Sequence, residues 1–196
     1  MKINSLEELI KLLAKLPSLG PRSGKRIALH LIKNPELISH FANVLQEVSV
    51  DIKTCQACGN IDVISPCNIC CDHTRENNII CVIEQVGDLW AIEKGRAYKG
   101  LYHVLGGTLS ALENRTPKNL NISNLKKRIK ENNISEVIIA TNATLEGETT
   151  GHFIAKFIEI FDIKITRLAH GIPIGAELDY IDEGTLSFAL KLRQKF

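Results

Sequence analysis

Cys55-Gln56-Ala57-Cys58 and Cys67-Asn68-Ile69-Cys70 are two Cys-x-x-Cys pairs with eight residues between them, Gly59 just after the first and Pro66 just before the second. A Cys-x-x-Cys turn aims two thiolates at one ion, and two such turns complete the tetrahedral sulfur cage that zinc prefers. The stretch from Cys55 to Cys70 has too few apolar side chains to bury a core, so a bound metal has to supply its folding free energy. The expected cofactor is one structural zinc per chain on Cys55, Cys58, Cys67 and Cys70. Such a closed site keeps no open position and is assigned no catalysis. Disulfides are disfavoured, because no apolar secretory leader precedes the cysteines and a cytoplasmic pool keeps thiols reduced. A redox role is weak, because neither pair opens a helix after a strand. Cys71 and His73 are read as a bystander thiol and a loop histidine, since the two intact pairs already fill four positions.

The module separates two segments of different character. With 196 residues, 44% hydrophobic and 23% charged, the chain can bury one good-sized core with small appendages. Its longest apolar runs, such as Ile79-Ile80-Cys81-Val82-Ile83, are too short to span a bilayer. A net charge of +2 does not by itself argue for nucleic acid. Distribution says more: basic residues concentrate at Arg22, Lys25 and Arg26. A second basic run, Lys126-Lys127-Arg128 with Lys130, reads as the solvated face of a helix.

Before the cysteines, three helices are expected. Ser5 and Glu8 form a capping box for the first, whose Leu6, Leu9, Ile10, Leu13 and Leu16 recur at helical spacing up to Pro17. Pro21 suits the first turn of a second, which stops before Asn34-Pro35, where a third begins with an apolar stripe through Phe41, Val44, Leu45 and Val48. Between the first two lies Leu16-Pro17-Ser18-Leu19-Gly20-Pro21-Arg22-Ser23-Gly24-Lys25-Arg26. A tight turn ending in Gly at a helix N-terminus presents unpaired N–H groups that suit a phosphate, and Arg22, Lys25 and Arg26 add charge against the same strand. The competing reading is a plain helical turn with solvated basic residues. The stretch is not a P-loop: it is one residue short, has Arg26 where a magnesium-binding hydroxyl should stand, and follows a helix.

After the cysteines, strands alternate with helices. Strands are expected at 79–83, 98–105, 136–140 and 163–168, with helices at 88–94, 123–131, 149–161 and, capped by Asp182, 183–195. This pattern implies a mostly parallel sheet with helices on both faces and a functional rim beyond the carboxyl ends of its strands. Glu84 and the run Thr141 to Glu148 fall on that rim. Cys81, inside a strand, is read as a buried structural thiol.

The hairpin stretch resembles the helix-hairpin-helix module, which grips DNA backbone without reading bases. The later segment resembles the Toprim domain of topoisomerases and primases, whose Glu and Asp-x-Asp carboxylates hold magnesium. Glu84 occupies the first position and Glu146-Gly147-Glu148 keeps the later stretch, but the Asp pair has become Asn142-x-Thr144. An amide and a hydroxyl are poor ligands for a hard ion, so the expectation is a Toprim scaffold without catalysis. The order of the three modules resembles the RecR family of bacterial recombination mediators. The strings that carry the likeness include Leu16-Pro-x-Leu-Gly-Pro-Arg22, Cys81-Val-Ile-Glu84, Thr144-Leu-Glu-Gly-Glu148-x-Thr150 and Leu178-x-Tyr180-x-Asp182-Glu183. Cys71 departs from the small polar residue expected there.

The resemblance implies a helix-hairpin-helix domain at 1–54, a zinc finger at 55–78, a Toprim domain at 79–175 and a C-terminal helical segment at 176–196. It implies a non-enzymatic, cytoplasmic, nucleoid-associated clamp: a homotetrameric ring around double-stranded or gapped DNA that acts with RecO and RecF to load recombinase. Arg22, Lys25 and Arg26 would face DNA, and Glu84, Asn142, Thr144, Glu146 and Glu148 would line the rim and meet partners. A magnesium-dependent nuclease or topoisomerase using Glu84, Glu146 and Glu148 is the alternative. A Walker B strand is not expected, because Ala176-Glu-Leu-Asp179 lacks four apolar residues before its acid.

Overall fold

The computed structural model describes residues 4–169 and 171–193. The chain divides into two compact units, residues 1–52 and 53–196.

The first unit is helical: α1 (Ser5–Ala14), α2 (Pro21–Ile32) and α3 (Pro35–Asp51). The cap of α1 is Asn4, whose side chain accepts from the Leu6 N–H at 3.3 Å; Ser5 is the first helical residue, so a single side-chain cap one position earlier takes the place of the expected Ser5–Glu8 box. Gly24 lets α1 and α2 touch, because a Cβ there would stand 2.9 Å from the Ile10 carbonyl and 3.0 Å from the Ala14 nitrogen. Below it Ala28 is fully buried. By contrast α3 buries none of its residues, and Phe41 and Leu45 are more than half exposed.

The second unit opens with a short antiparallel pair, β1 (Lys53–Thr54) and β2 (Ile61–Asp62), and one helical turn, α4 (Asn68–Cys71). It continues with β3 (Glu76–Ile83), α5 (Val86–Lys94), β4 (Gly100–Val104), α6 (Ile122–Glu131), β5 (Glu136–Ile139), α7 (Leu145–Ile158), β6 (Lys164–Arg167) and α8 (Glu183–Lys191). The sheet runs β4-β3-β5-β6 with every pairing parallel. Because side chains alternate along a strand, β3 feeds two cores. Ile80 and Val82 pack with Leu125 and Ile129 of α6 and Ile154 and Ile158 of α7. Cys81 and Ile83 pack on the other face with Leu89 of α5 and Tyr102 of β4. Helices therefore cover both faces, as the alternation implies.

Some boundaries differ from the sequence reading. The helix expected at 149 starts at Leu145, so Glu146 and Glu148 lie in its first turn. The strand expected from Tyr98 begins at Gly100, because the Tyr98 hydroxyl turns back to donate to the Leu101 carbonyl at 2.9 Å. Helix α8, capped by Asp182 as expected, ends at Lys191; the expected continuation over 194–195 lies outside the described residues. Arg128, read as part of a solvated face, is 6% exposed.

Candidate metal centre and nucleic-acid interface

The first cysteine turn hangs from the β1–β2 pair. The Cys55 N–H donates to the Asn60 carbonyl at 2.7 Å, and the Gly59 N–H closes the turn on the Cys55 carbonyl at 2.8 Å. Gly59 has φ +81°, and a Cβ on it would meet the Val104 carbonyl at 2.8 Å, so glycine is required on both counts. The turn is tied to the sheet: the Val104 N–H donates to the Cys58 carbonyl at 2.7 Å, and the Asn124 amide donates to the Gln56 and Ala57 carbonyls, each at 2.9 Å. In the second turn Cys67 caps α4, and the Cys71 N–H donates to its carbonyl at 3.0 Å.

These turns bring the sulfurs of Cys55, Cys58, Cys67 and Cys70 within 4.8 Å of one another. Cys55 and Cys70 stand 4.0 Å apart and Cys58 and Cys67 3.5 Å, while Cys71 is exposed and outside the group. A tetrahedron with zinc–sulfur bonds of about 2.3 Å has edges of about 3.8 Å, so the spacing fits. It is far too long for disulfides, whose sulfurs stand about 2 Å apart. Backbone donors also await thiolates: Asn60 N–H reaches Cys58 Sγ at 3.4 Å and Cys67 N–H reaches Cys55 Sγ at 3.2 Å. Burial resists ionisation of Cys55, but N–H groups of Cys58, Cys67 and Ala57 prevail and bring it down to about 7. Burial pushes Cys67 up to about 11, and the hydrogen bond with Cys70, ahead of burial, pushes Cys58 up further. Cys58 and Cys67 thus resist ionising beside Cys55, a conflict that one divalent cation resolves. The cluster can hold a metal ion.

In the helical unit the turn between α1 and α2 is held by Leu19 N–H on the Leu16 carbonyl at 3.1 Å, with Ser18 in the left-handed region at φ 62°. Gly20 caps α2 without a side chain, Pro21 follows, and the first turn holds no acid. Helix geometry leaves the N–H groups of Arg22 and Ser23 without intrahelical acceptors. Arg22, Lys25 and Arg26 are all exposed, and none has an ion-pair partner among the described residues.

At the rim of the sheet, Glu84 follows β3 and is 7% exposed. The backbone N–H of Asn142 donates to one of its carboxylate oxygens and the Asn142 side-chain amide to the other, both at 2.7 Å. The first turn of α7 closes over this pair. Thr144 caps it, accepting from the Gly147 N–H at 3.1 Å, and a Cβ on Gly147 would strike the Asn142 carbonyl and stand 2.7 Å from Glu84 Oε1. Glu148 turns away to Arg167 at the end of β6, 2.8 Å distant, and Glu146 is exposed. The structure therefore joins Glu84 to Asn142, gives Thr144 a capping role, and sends Glu146 and Glu148 elsewhere. Sequence reasoning missed Arg167, although its place at the carboxyl end of a strand marks it for the rim. Cys81 is buried, and burial pushes its thiol up to about 12, in keeping with a structural group. Among the described residues no helix is long and apolar enough to cross a membrane.

Comparison with known proteins gives three family matches: a RecR helix-hairpin-helix model over residues 6–49, a Toprim domain model over 78–169 and a RecR C-terminal model over 171–194. The chain is 52% identical to the recombination protein RecR of Rhizobium etli strain CIAT 652 over 189 residues, covering 96% of this chain and 94% of that one. It is 52% identical to the RecR of Beijerinckia indica subsp. indica over 192 residues, or 97% and 96% of the two chains. The corresponding protein of Methylocella silvestris is 51% identical over 192 residues, with the same coverage.

Proposed function

The chain belongs to the RecR family of recombination proteins, and from that premise we propose that it is a non-catalytic DNA clamp of recombinational repair, working with RecO and RecF to load recombinase on gapped DNA. One observation carries the non-catalytic reading: both oxygens of Glu84 are taken by donors of Asn142. Magnesium is held through carboxylate oxygens backed by further acids, and here the one buried carboxylate has an N–H donor on each oxygen and an amide where a second acid would stand. The rim then serves partners instead of a scissile phosphate, with exposed Glu146 and the half-buried Glu148–Arg167 pair at its edge.

DNA is held through the helical unit. The bare N-terminus of α2 and the Arg22, Lys25 and Arg26 side chains make sequence-independent phosphate contacts. A few such contacts per subunit bind weakly, and closing several copies into a tetrameric ring multiplies them by effective concentration. The uncovered apolar face of α3 is the surface through which copies meet. Cys55, Cys58, Cys67 and Cys70 hold one structural zinc, which supplies cross-linking and no chemistry. The setting is the cytoplasm, on the nucleoid.

The test is incubation with supercoiled plasmid and magnesium. The plasmid is expected to stay supercoiled and un-nicked at any protein excess. Nicking or relaxation that EDTA stops and Glu84→Gln abolishes would establish the nuclease or topoisomerase reading instead.

A further inference from the structure

Arg128 is a cation that the chain's own acids leave unmatched. It is 6% exposed, yet no carboxylate among the described residues pairs with it. Its Nη1 donates to the Tyr102 carbonyl at 2.6 Å and lies 3.3 Å from His103 Nδ1. His103 is itself fully buried, with Nε2 2.6 Å from the Asn121 carbonyl. That contact makes Nε2 the protonated nitrogen and leaves Nδ1 as the acceptor for Arg128, so the ring is neutral. Neither partner carries negative charge. A guanidinium withdrawn from water without a counter-ion is rare in a folded chain.

Arg128 lines a cleft of about 690 Å³ between the first cysteine turn and α6. Two other cations lie in its wall. Arg75 is already engaged, donating to the Gly100 carbonyl at 3.0 Å and pairing with Glu93 and with Asp72, the acid that lines that end of the cleft. Lys127 is exposed and has no ion-pair partner among the described residues. His73 adds a ring nitrogen, and exposed Glu131 is the remaining acid. No Phe, Tyr or Trp lines the cleft, so a base has no stacking platform there. A phosphodiester, which needs only charge and N–H donors, suits it.

We infer that this cleft takes a phosphate of the DNA backbone, with Arg128 in its floor and Lys127 at its lip, as a contact additional to the hairpin. The inference rests on the reading that the protein binds DNA. It is tested with full-length protein by fluorescence anisotropy of a labelled duplex over a series of salt concentrations. Lys127→Glu is expected to weaken binding roughly tenfold and to lower the salt slope by about one. Lys130→Glu makes the same charge change on the same helix outside the cleft, and is expected to cost less than about threefold. Thermal melts of both should match the parent; if Lys127→Glu melts early, Lys127→Gln takes its place. Equal losses from Lys127→Glu and Lys130→Glu would reduce the effect to a general field and overturn the cleft. Unchanged affinity in Lys127→Glu, with weakening in Arg22→Ala/Arg26→Ala, would overturn it while leaving the hairpin reading intact. No loss in any variant would sink both. Loss of a phosphate-induced thermal shift in Lys127→Glu, at unchanged DNA affinity, would assign the cleft to free phosphate and likewise overturn the DNA contact.

Discussion

The backbone and side-chain N–H groups of Asn142 hold the two oxygens of Glu84 at 2.7 Å each, under a helix turn whose Gly147 leaves no room for a side chain. An aspartate at 142 would set a second carboxylate where the amide now donates. Asn142→Asp is therefore expected to cost about 1–3 kcal/mol at pH 7, because a donor becomes a repelling acceptor. Part of that loss should return near pH 4, where one acid can carry a proton and donate to the other. Urea melts at both pH values check it; an unperturbed variant at pH 7 would show that the pairing contributes nothing. His103 gives a second residue-level expectation. Burial, opposed by the Asn121 carbonyl and aided by the Arg128 charge, brings its pKa down to about 4. The unfolded chain, titrating near 6.5, takes up the proton first. This contribution is thus complete above about pH 6.5 and fades as pH falls toward 4, by roughly 3 kcal/mol in all. Stability measured from pH 7.5 to 4.5 should fall less steeply in His103→Phe; identical slopes would contradict the assignment. Neither Arg128 nor His103 could be picked out in advance. A basic run on a helix reads as solvated, and only the sheet edge it covers reveals that one member turns inward.

Among the elements, those fixed by local chemistry were legible. The cysteine turns follow from spacing, α2 from Pro21 after Gly20, and α8 from Asp182, whose side chain accepts from the Thr185 N–H at 2.9 Å. Where tertiary contact decides, the reading slipped. The helix expected at 149 begins at Leu145, where Gly147 lets its first turn pack directly on Asn142 and Glu84, a contact no local signal announces. The metal module belongs to this scale as well, because a metal on its four sulfurs would tie the two turns to each other. Cys58→Ser is expected to drop bound zinc from one per chain to near zero and to expose the module to proteolysis. Since the Cys58 carbonyl also receives the Val104 N–H, the edge strand β4 should loosen with it. Metal analysis with hydrogen exchange across residues 100–104 checks both. A metal-free variant with native protection there would refute the structural role.

The whole molecule was legible as an order of modules: helices, then cysteine turns, then a parallel sheet with helices on both faces. The proposed ring was not legible in that order: what the folded chain offers toward it is the apolar stripe of α3, where Phe41, Leu45 and Val48 are about half exposed or more. A stripe does not state what covers it. The most direct measurement is retention on closed-circular plasmid, followed by a single cut with a restriction enzyme at constant salt. A ring threaded by duplex is predicted to stay on the circle through a high-salt wash and to leave once the DNA is linear. Equal release from circular and linear DNA would contradict encirclement.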